Sequence, residues 1–254
     1  MAETAAAAAF SEGVPCWADA QLPDVEAGKR FYGELFGWTF PKTAEAAGET
    51  AGAGPVALAA LDGAPVAGLT PKRDGRMPTV WTVYFATPDA RALARRITAA
   101  GGGIITAPTE LPGPSGDLGT AALVTDPEGA VFGLWQPAAH PGFGRRHERR
   151  TFCWAELYAR DTATVDRFYG TLFHDALFGP DATPDFGRVP VSGVFAAEMP
   201  PHFLVHFGVG DCEETLGTVS RLGGRVQVPP FETSYGRVAV VTDNQGASFA
   251  VLER

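Results

Sequence analysis

An internal repeat constrains this sequence more than any other feature. The stretch CWADAQLPDVEAGKRFYGELF, which begins at Cys16, aligns without a gap with CWAELYARDTATVDRFYGTLF, which begins at Cys153. Two later stretches repeat in the same order: AAGGGII pairs with RLGGRVQ, and LVTDPEGAVFGLW pairs with VVTDNQGASFAVL. Two halves that carry the same elements in the same order predict two copies of one folded unit.

The residue pattern within each copy predicts its secondary structure. An apolar-rich alternation predicts a first strand, and Asp24 or Asp161 follows where a helix needs an N-cap residue. The helix that follows carries one apolar face, and strands, a second helix closed by paired glycines and a final hairpin complete the copy. We therefore predict an α+β fold in which four βαβββ units form two curved mixed β-sheets with flanking helices.

The repeat also predicts the domain boundaries. They are a flexible N-terminus (1–12), module 1 (13–137), a linker (138–150) and module 2 (151–254). The linker is rich in proline and glycine and ends in the basic cluster Arg145, Arg146, His147, Arg149 and Arg150. We expect a solvated connection, and a contact between this cluster and an anion is the alternative.

Charge and cysteine content exclude several classes of protein. The net charge of −9 and the isoelectric point near 5.0 argue against a nucleic-acid or anionic-membrane partner. The alanine run near the N-terminus is too short for a signal sequence or a membrane span, so a cytoplasmic location is expected. A monomer or a homodimer is expected. The three cysteines show no metal-binding spacing and are interpreted as structural thiols.

Three motifs, each present twice, resemble the vicinal oxygen chelate superfamily of glyoxalases, bleomycin resistance proteins and dioxygenases. They are R-F-Y-G-x-L-F after the first strand, the helix that ends in G-G, and T-D-x-x-G-A-x-F in the last hairpin. The resemblance implies a cup-shaped cleft in which His, Glu or Gln side chains hold a divalent metal. Tandem relatives of this type are often labelled hydroxylases, so enzymatic activity stays open.

The positions that carry metal ligands in this superfamily hold other residues here. By motif alignment they are Trp17, Thr82 and Gly133 in the first copy, and Trp154, Leu204 and Ala250 in the second. None of these is a usual ligand for a divalent metal, so no metal cofactor is predicted. A displaced ligand set drawn from His202, His206, Glu198 and Glu232 is the alternative.

Acidic residues beside two of these tryptophans are candidate catalytic groups. Strand alternation places Asp19 and Gln21 on the side of Trp17, and it places Glu156 and Tyr158 on the side of Trp154. Carboxyl groups flanked by indoles are partly desolvated, which raises their pKa toward the range of a general acid or base. The alternative is that both carboxylates lie between the copies and pair with arginines or backbone N–H groups.

One strand of the second copy carries two histidines. His202 and His206 share a face about 13 Å apart, which is too far for both to bind one metal. His206 is a candidate proton shuttle, and Tyr84 holds the matching position in the first copy. A histidine held only by structural hydrogen bonds is the alternative.

Four tryptophans are predicted on strands that line the cups: Trp17, Trp81, Trp135 and Trp154. They favour a flat aromatic or apolar small molecule as ligand, and packing between the sheets is the alternative. The functional hypotheses are therefore a metal-free binding protein, a metal-independent acid–base enzyme of the isomerase, cyclase or hydroxylase-associated type, and a metal enzyme with displaced ligands.

Overall fold

Two mixed β-sheets and four helices make up the computed structural model of the chain, which describes residues 10–41, 56–72, 75, 78–113, 116–183, 185–191 and 199–254. The first sheet has seven strands in the order β2-β3-β1-β4-β7-β6-β5, and the second has six in the order β11-β12-β13-β10-β8-β9. This confirms the predicted fold class.

The strands of the first sheet are β1 (Pro15–Leu22), β2 (Ala57–Leu61), β3 (Ala64–Pro71), β4 (Val80–Ala86), β5 (Gly103–Gly113), β6 (Gly116–Thr125) and β7 (Val131–Pro137). Those of the second are β8 (Phe152–Ala159), β9 (Phe186–Pro190), β10 (His202–Val209), β11 (Arg225–Thr233), β12 (Gly236–Thr242) and β13 (Ser248–Glu253). The helices are α1 (Val25–Phe36), α2 (Ala90–Ala99), α3 (Thr162–Leu177) and α4 (Cys212–Arg221).

The same topological step occurs four times. A strand is followed by a helix, and a later strand pairs with the first one in parallel, which gives the pairs β1–β3, β4–β7, β8–β9 and β10–β13. Within each sheet, the two units meet at an antiparallel pair, β1–β4 or β8–β10. In the second copy, the strands predicted after the first helix fall partly on 192–198, which lies outside the described residues.

Local signals start the helices where the sequence predicts. The carboxylate of Asp24 accepts a hydrogen bond from the backbone N–H of Ala27, and Asp161 does the same for Ala163 and Thr164. These bonds satisfy N–H groups that have no partner within the helix.

The helices α1 and α3 lie between the two sheets and join them into one hydrophobic core. Phe36 of α1 contacts Phe207 of the second sheet, with ring centres 5.3 Å apart. Phe173 of α3 stacks on Phe85 of the first sheet at 5.5 Å. Each sheet therefore has an inner face, which packs on this shared core, and an outer face, which points away from it.

The linker is solvated over part of its length: residues 147–150 are exposed, whereas His140 and Phe143 are buried. Phe143 stacks on Phe152 with ring centres 4.8 Å apart. Arg146 and His147 both pair with Asp185, whose side chain has no exposed surface. Two members of the basic cluster thus contact a buried carboxylate of this chain, while Arg145 pairs with the exposed Asp62 and Glu148.

In the described part of the chain, no helix is long and apolar enough to cross a membrane.

Candidate functional sites on the outer faces

The outer face of the first sheet carries a buried carboxyl group. Trp17 and Asp19 of β1 both point to this face, and Trp17 is in register with Tyr84 of β4. The hydroxyl of Tyr84 donates a hydrogen bond of 3.1 Å to Oδ2 of Asp19. Burial raises the pKa of Asp19 to about 7, although the Tyr84 hydroxyl acts in the opposite direction. Protonated and ionised forms of Asp19 therefore coexist near neutral pH.

A histidine from the linker covers this face. The ring of His140 meets the face of Trp17 edge-on, with centroids 4.3 Å apart, and lies 5.6 Å from Trp135. The indole N–H of Trp135 donates to the backbone oxygen of His140 at 2.9 Å. Burial lowers the pKa of His140 to about 4, so its imidazole is neutral at pH 7. Sequence reasoning missed His140, because its contacts depend on the path of the linker.

The outer face of the second sheet holds the equivalent carboxyl group, Glu156, in a larger hydrogen-bonded group. Tyr158 donates its hydroxyl to Oε2 of Glu156 at 3.0 Å. The hydroxyl of Tyr235, in the turn between β11 and β12, lies 3.4 and 3.3 Å from Oε1 and Oε2. Burial raises the pKa of Glu156, while hydrogen bonds from Tyr158, Tyr235 and the indole of Trp154 lower it.

Two stacked pairs of rings flank Glu156. Trp154 stacks on Tyr235 with centroids 5.4 Å apart, and Tyr158 stacks on His202 at 5.3 Å. Trp154 is half-buried, whereas its counterpart Trp17 is only 5% exposed. Sequence reasoning missed Tyr235; the only signal was an aromatic residue at the tip of a short hairpin.

His206 lies beside Glu156 with one ring nitrogen directed toward it. Its Nδ1 is 3.2 Å from the backbone oxygen of Leu204, and since a carbonyl only accepts hydrogen bonds, Nδ1 carries the proton. The lone pair is then on Nε2, which is 3.9 Å from Oε2 of Glu156. Burial lowers the pKa of His206 to about 4. A neutral imidazole thus faces a carboxyl group that burial biases toward its protonated form.

One predicted residue, Trp81, lies on the inner face of its sheet and not on the outer face. Trp81 and Tyr84 are three residues apart on β4, so they point to opposite faces. The indole N–H of Trp81 donates to the hydroxyl of Tyr32 at 2.9 Å, and its ring contacts Phe207 of the second sheet. The structure therefore places Trp81 in the core between the sheets, as the packing alternative expected, and not beside Trp17.

The other predicted residues are on the outer faces. Trp135 of β7 lies beside His140, and Gln21 lies half-buried near the end of β1, opposite Val80. Asp19 and Glu156 accept hydrogen bonds from tyrosine hydroxyls. The alternative that placed these two carboxylates between the copies, paired with arginines, is wrong.

The residues at the superfamily's ligand positions do not fit a metal ion. Trp17 and Gly133 lie on either side of Tyr84 across the first sheet, whereas Thr82 lies two residues away, opposite Asp19. A Cβ atom on Gly133 would be only 2.0 Å from the ring of Tyr84, so this ring occupies the space above the glycine. Within the described ranges, no group of three or more His, Cys, Asp or Glu side chains could hold a metal.

The displaced ligands considered from the sequence are not assembled either. His202 stacks on Tyr158, and Glu232 is an exposed residue 3.9 Å from Arg237. His206 and Glu156 are neighbours at 3.9 Å. Glu198 lies outside the described residues.

The paired sheets and their duplicated outer faces define the class of this protein. Residues 17–134 match the model of the Glyoxalase/Bleomycin resistance protein/Dioxygenase superfamily. The anthracycline biosynthesis protein DauV of Streptomyces sp. (strain C5) is 34% identical over 96% of this chain and 94% of its own length. The chain belongs to this superfamily.

Further relatives agree with this assignment. CFP32 of Mycobacterium tuberculosis (strain CDC 1551 / Oshkosh), which is named a glyoxylase, is 32% identical over 96% of both chains. The solved structure of the 2,3-dioxygenase LapB from Pseudomonas sp. KL28 has a TM-score of 0.60 at 14% identity, covering 96% of this chain and 94% of that one. This last likeness is one of fold.

Proposed function

We propose that this protein binds a flat aromatic small molecule on the outer face of the second sheet. Trp154 supplies a stacking surface there, and Glu156 supplies a hydrogen-bonding group for a polar substituent of the ligand. The observation that carries the proposal is the position of a buried carboxyl group, Glu156, beside the half-buried indole of Trp154. An aromatic ring with a carboxyl group beside it suits a ring-shaped ligand that carries a polar substituent.

Tyr235 indicates the kind of ring that fits this face. Its phenol ring stacks on Trp154, and its hydroxyl reaches both oxygens of Glu156. A hydroxylated aromatic ligand makes the same two contacts. We expect Tyr235 to swing aside when the ligand binds, so that the ligand ring takes the place of the phenol.

The names of the relatives favour a polycyclic ligand. Two of them, DauV and DnrV of Streptomyces, are called anthracycline biosynthesis proteins. Anthracyclines contain fused aromatic rings with phenolic hydroxyls, which matches the stacking surface and the carboxyl group. We therefore choose 1-hydroxyanthraquinone as the first probe.

The duplicated modules supply matched controls for a binding titration. Calorimetry with 1-hydroxyanthraquinone should show that Trp154→Ala weakens binding about tenfold or more, because a stacked aromatic pair and its buried area are lost. The equivalent Trp17→Phe should bind like the wild type, since His140 already covers that ring. Equal effects of the two variants, or none from Trp154→Ala in a folded protein, would contradict the proposal.

Acid–base catalysis at the same site is the second candidate function. It is favoured by the 3.9 Å separation between Nε2 of His206 and Oε2 of Glu156. In this arrangement the protonated Glu156 gives a proton to a bound substrate, and the neutral His206 accepts one. No metal takes part in such a proton transfer.

Isosteric variants separate binding from catalysis. Glu156→Gln keeps the shape and a hydrogen-bonding amide, so a binding protein retains affinity within a few-fold. An acid–base enzyme instead loses turnover by about a hundredfold or more while binding persists. Asp19→Asn, at the equivalent position of the first sheet, is the control and should leave any turnover at the second sheet intact.

A further inference from the structure

The outer face of the first sheet is occupied by the chain itself. His140 lies edge-on against Trp17 and next to Trp135, in the position where a ring-shaped ligand would contact both indoles. Backbone N–H groups of Ala138 and His140 bond to the oxygen of Leu118, which anchors one end of the covering segment. At the other end, the N–H of Phe143 bonds to the oxygen of Cys16.

Two buried polar atoms on this face have no hydrogen-bond partner. They are Oδ1 of Asp19 and Nε2 of His140, in residues that are 8% and 6% exposed. A side chain that serves only to fill a core normally pairs its polar atoms, because each unpaired buried group costs about 1–3 kcal/mol. Asp19 thus presents a free acceptor, and the histidine that covers it does not use that acceptor.

Glycines keep the tryptophan rings flat on this sheet. A Cβ atom on Gly68 would lie 3.3 Å from the indole nitrogen of Trp17, and one on Gly119 would lie 2.7 Å from the ring of Trp135. Both rings therefore lie over glycine backbone, which leaves room for them against the sheet. An aromatic floor with a free carboxyl oxygen is a surface suited to a ring with a polar substituent.

We propose that the outer face of the first sheet is a second ligand site, which His140 keeps covered, and that it takes a planar ring carrying a hydroxyl or N–H donor for Asp19. His140 acts as an internal occupant: its imidazole makes the ring contacts that such a ligand makes. The proposal does not depend on what the second sheet binds.

Removing the covering ring tests this site directly. In the full-length chain carrying Trp154→Ala, His140→Ala should bind one equivalent of 2-naphthol, a flat ring system with one hydroxyl donor, as counted by calorimetry. The same chain with His140 intact should bind at least tenfold more weakly. His140→Phe is the matched control, because it keeps a ring over Trp17 and should leave the site closed.

A separate binding experiment tests the hydrogen bond between Asp19 and the ligand. Adding Asp19→Ala to the uncovered chain should weaken 2-naphthol about tenfold, whereas naphthalene, which has no donor, should be unaffected. Equal loss for both probes, or no loss for either, would overturn the assigned ligand class.

Folding is checked by circular dichroism, and His140→Ser replaces His140→Ala if the latter does not fold. A folded chain without the His140 ring that binds 2-naphthol no better than its parent overturns the second site. The proposal for the second sheet is judged separately, by the loss of binding in Trp154→Ala alone.

Discussion

The hydroxyl of Tyr32 donates a hydrogen bond of 2.8 Å to the carboxylate of Asp243, which lies 211 residues further along the chain. Its counterpart, Tyr169, donates to Asp126 at 3.3 Å. The tyrosine of each R-F-Y-G motif thus binds the aspartate of the T-D-x-x-G motif in the other module. These two motifs, which carry much of the family resemblance, hold the modules together.

Removing one hydroxyl at a time should reveal an asymmetry between these two bonds. Tyr32 also accepts a hydrogen bond from the indole N–H of Trp81, whereas no such additional donor is described for Tyr169. We expect Tyr169→Phe to lower the free energy of unfolding by about 1–2 kcal/mol and Tyr32→Phe to lower it by about 2–4 kcal/mol, because two buried groups then lose a partner. Urea unfolding measures both, and an equal or reversed ranking would show that the Trp81 bond contributes nothing.

The raised pKa of Asp19 predicts a specific pH dependence of stability. The folded-state pKa is about 7, and the ordinary value in an unfolded chain is about 4. Between these pH values Asp19 is protonated in the folded protein and ionised in the unfolded chain. Stability therefore falls as pH rises through this range, and the fall levels off above about pH 7.

The variant Asp19→Asn isolates this dependence from that of other groups. His140 and His206, whose folded pKa values are about 4, act in the opposite direction, because their neutral folded forms lose stability as pH falls below about 6.5. We therefore predict that the stability of Asp19→Asn relative to the wild type rises by up to about 1.4 kcal/mol per pH unit between pH 4 and 7. A difference that stays flat in urea unfolding at several pH values would contradict the raised pKa.

Gly133 and Tyr84 should be energetically coupled. A Cβ atom on Gly133 meets the Tyr84 ring, whereas in the second sheet Ala250 is paired with the smaller His206. We predict that Gly133→Ala costs about 1–3 kcal/mol of stability through overcrowding, and that the cost shrinks when Tyr84→His is also present. A double-mutant cycle of thermal unfolding measures this, and additive effects would count against the steric explanation.

Much of the fold follows from local patterns in the sequence, but the composition of the sites does not. Alternation correctly brings Asp19 beside Trp17 and Glu156 beside Trp154, since a strand fixes which residues share a face. Trp81 is misplaced when its position on a strand is considered without asking which face of the strand it occupies.

His140 and Tyr235 lie beyond the reach of such patterns. They come to the sites through the path of the linker and the reach of a hairpin tip, which depend on tertiary contacts. The shared core could not be anticipated either, because the apolar face of a helix does not indicate which sheet it will meet.

The most direct test of the central claim uses the five tryptophans as reporters. Nitrogen-15 NMR of the indole N–H groups, assigned with single Trp→Phe variants, should be recorded as 1-hydroxyanthraquinone is added. We predict that the Trp154 signal shifts most, while that of Trp81, which is bonded to Tyr32 in the core, stays in place. A larger shift at Trp81 than at Trp154, or no shift at any indole at saturating probe, would contradict the proposal that the second sheet binds an aromatic ligand.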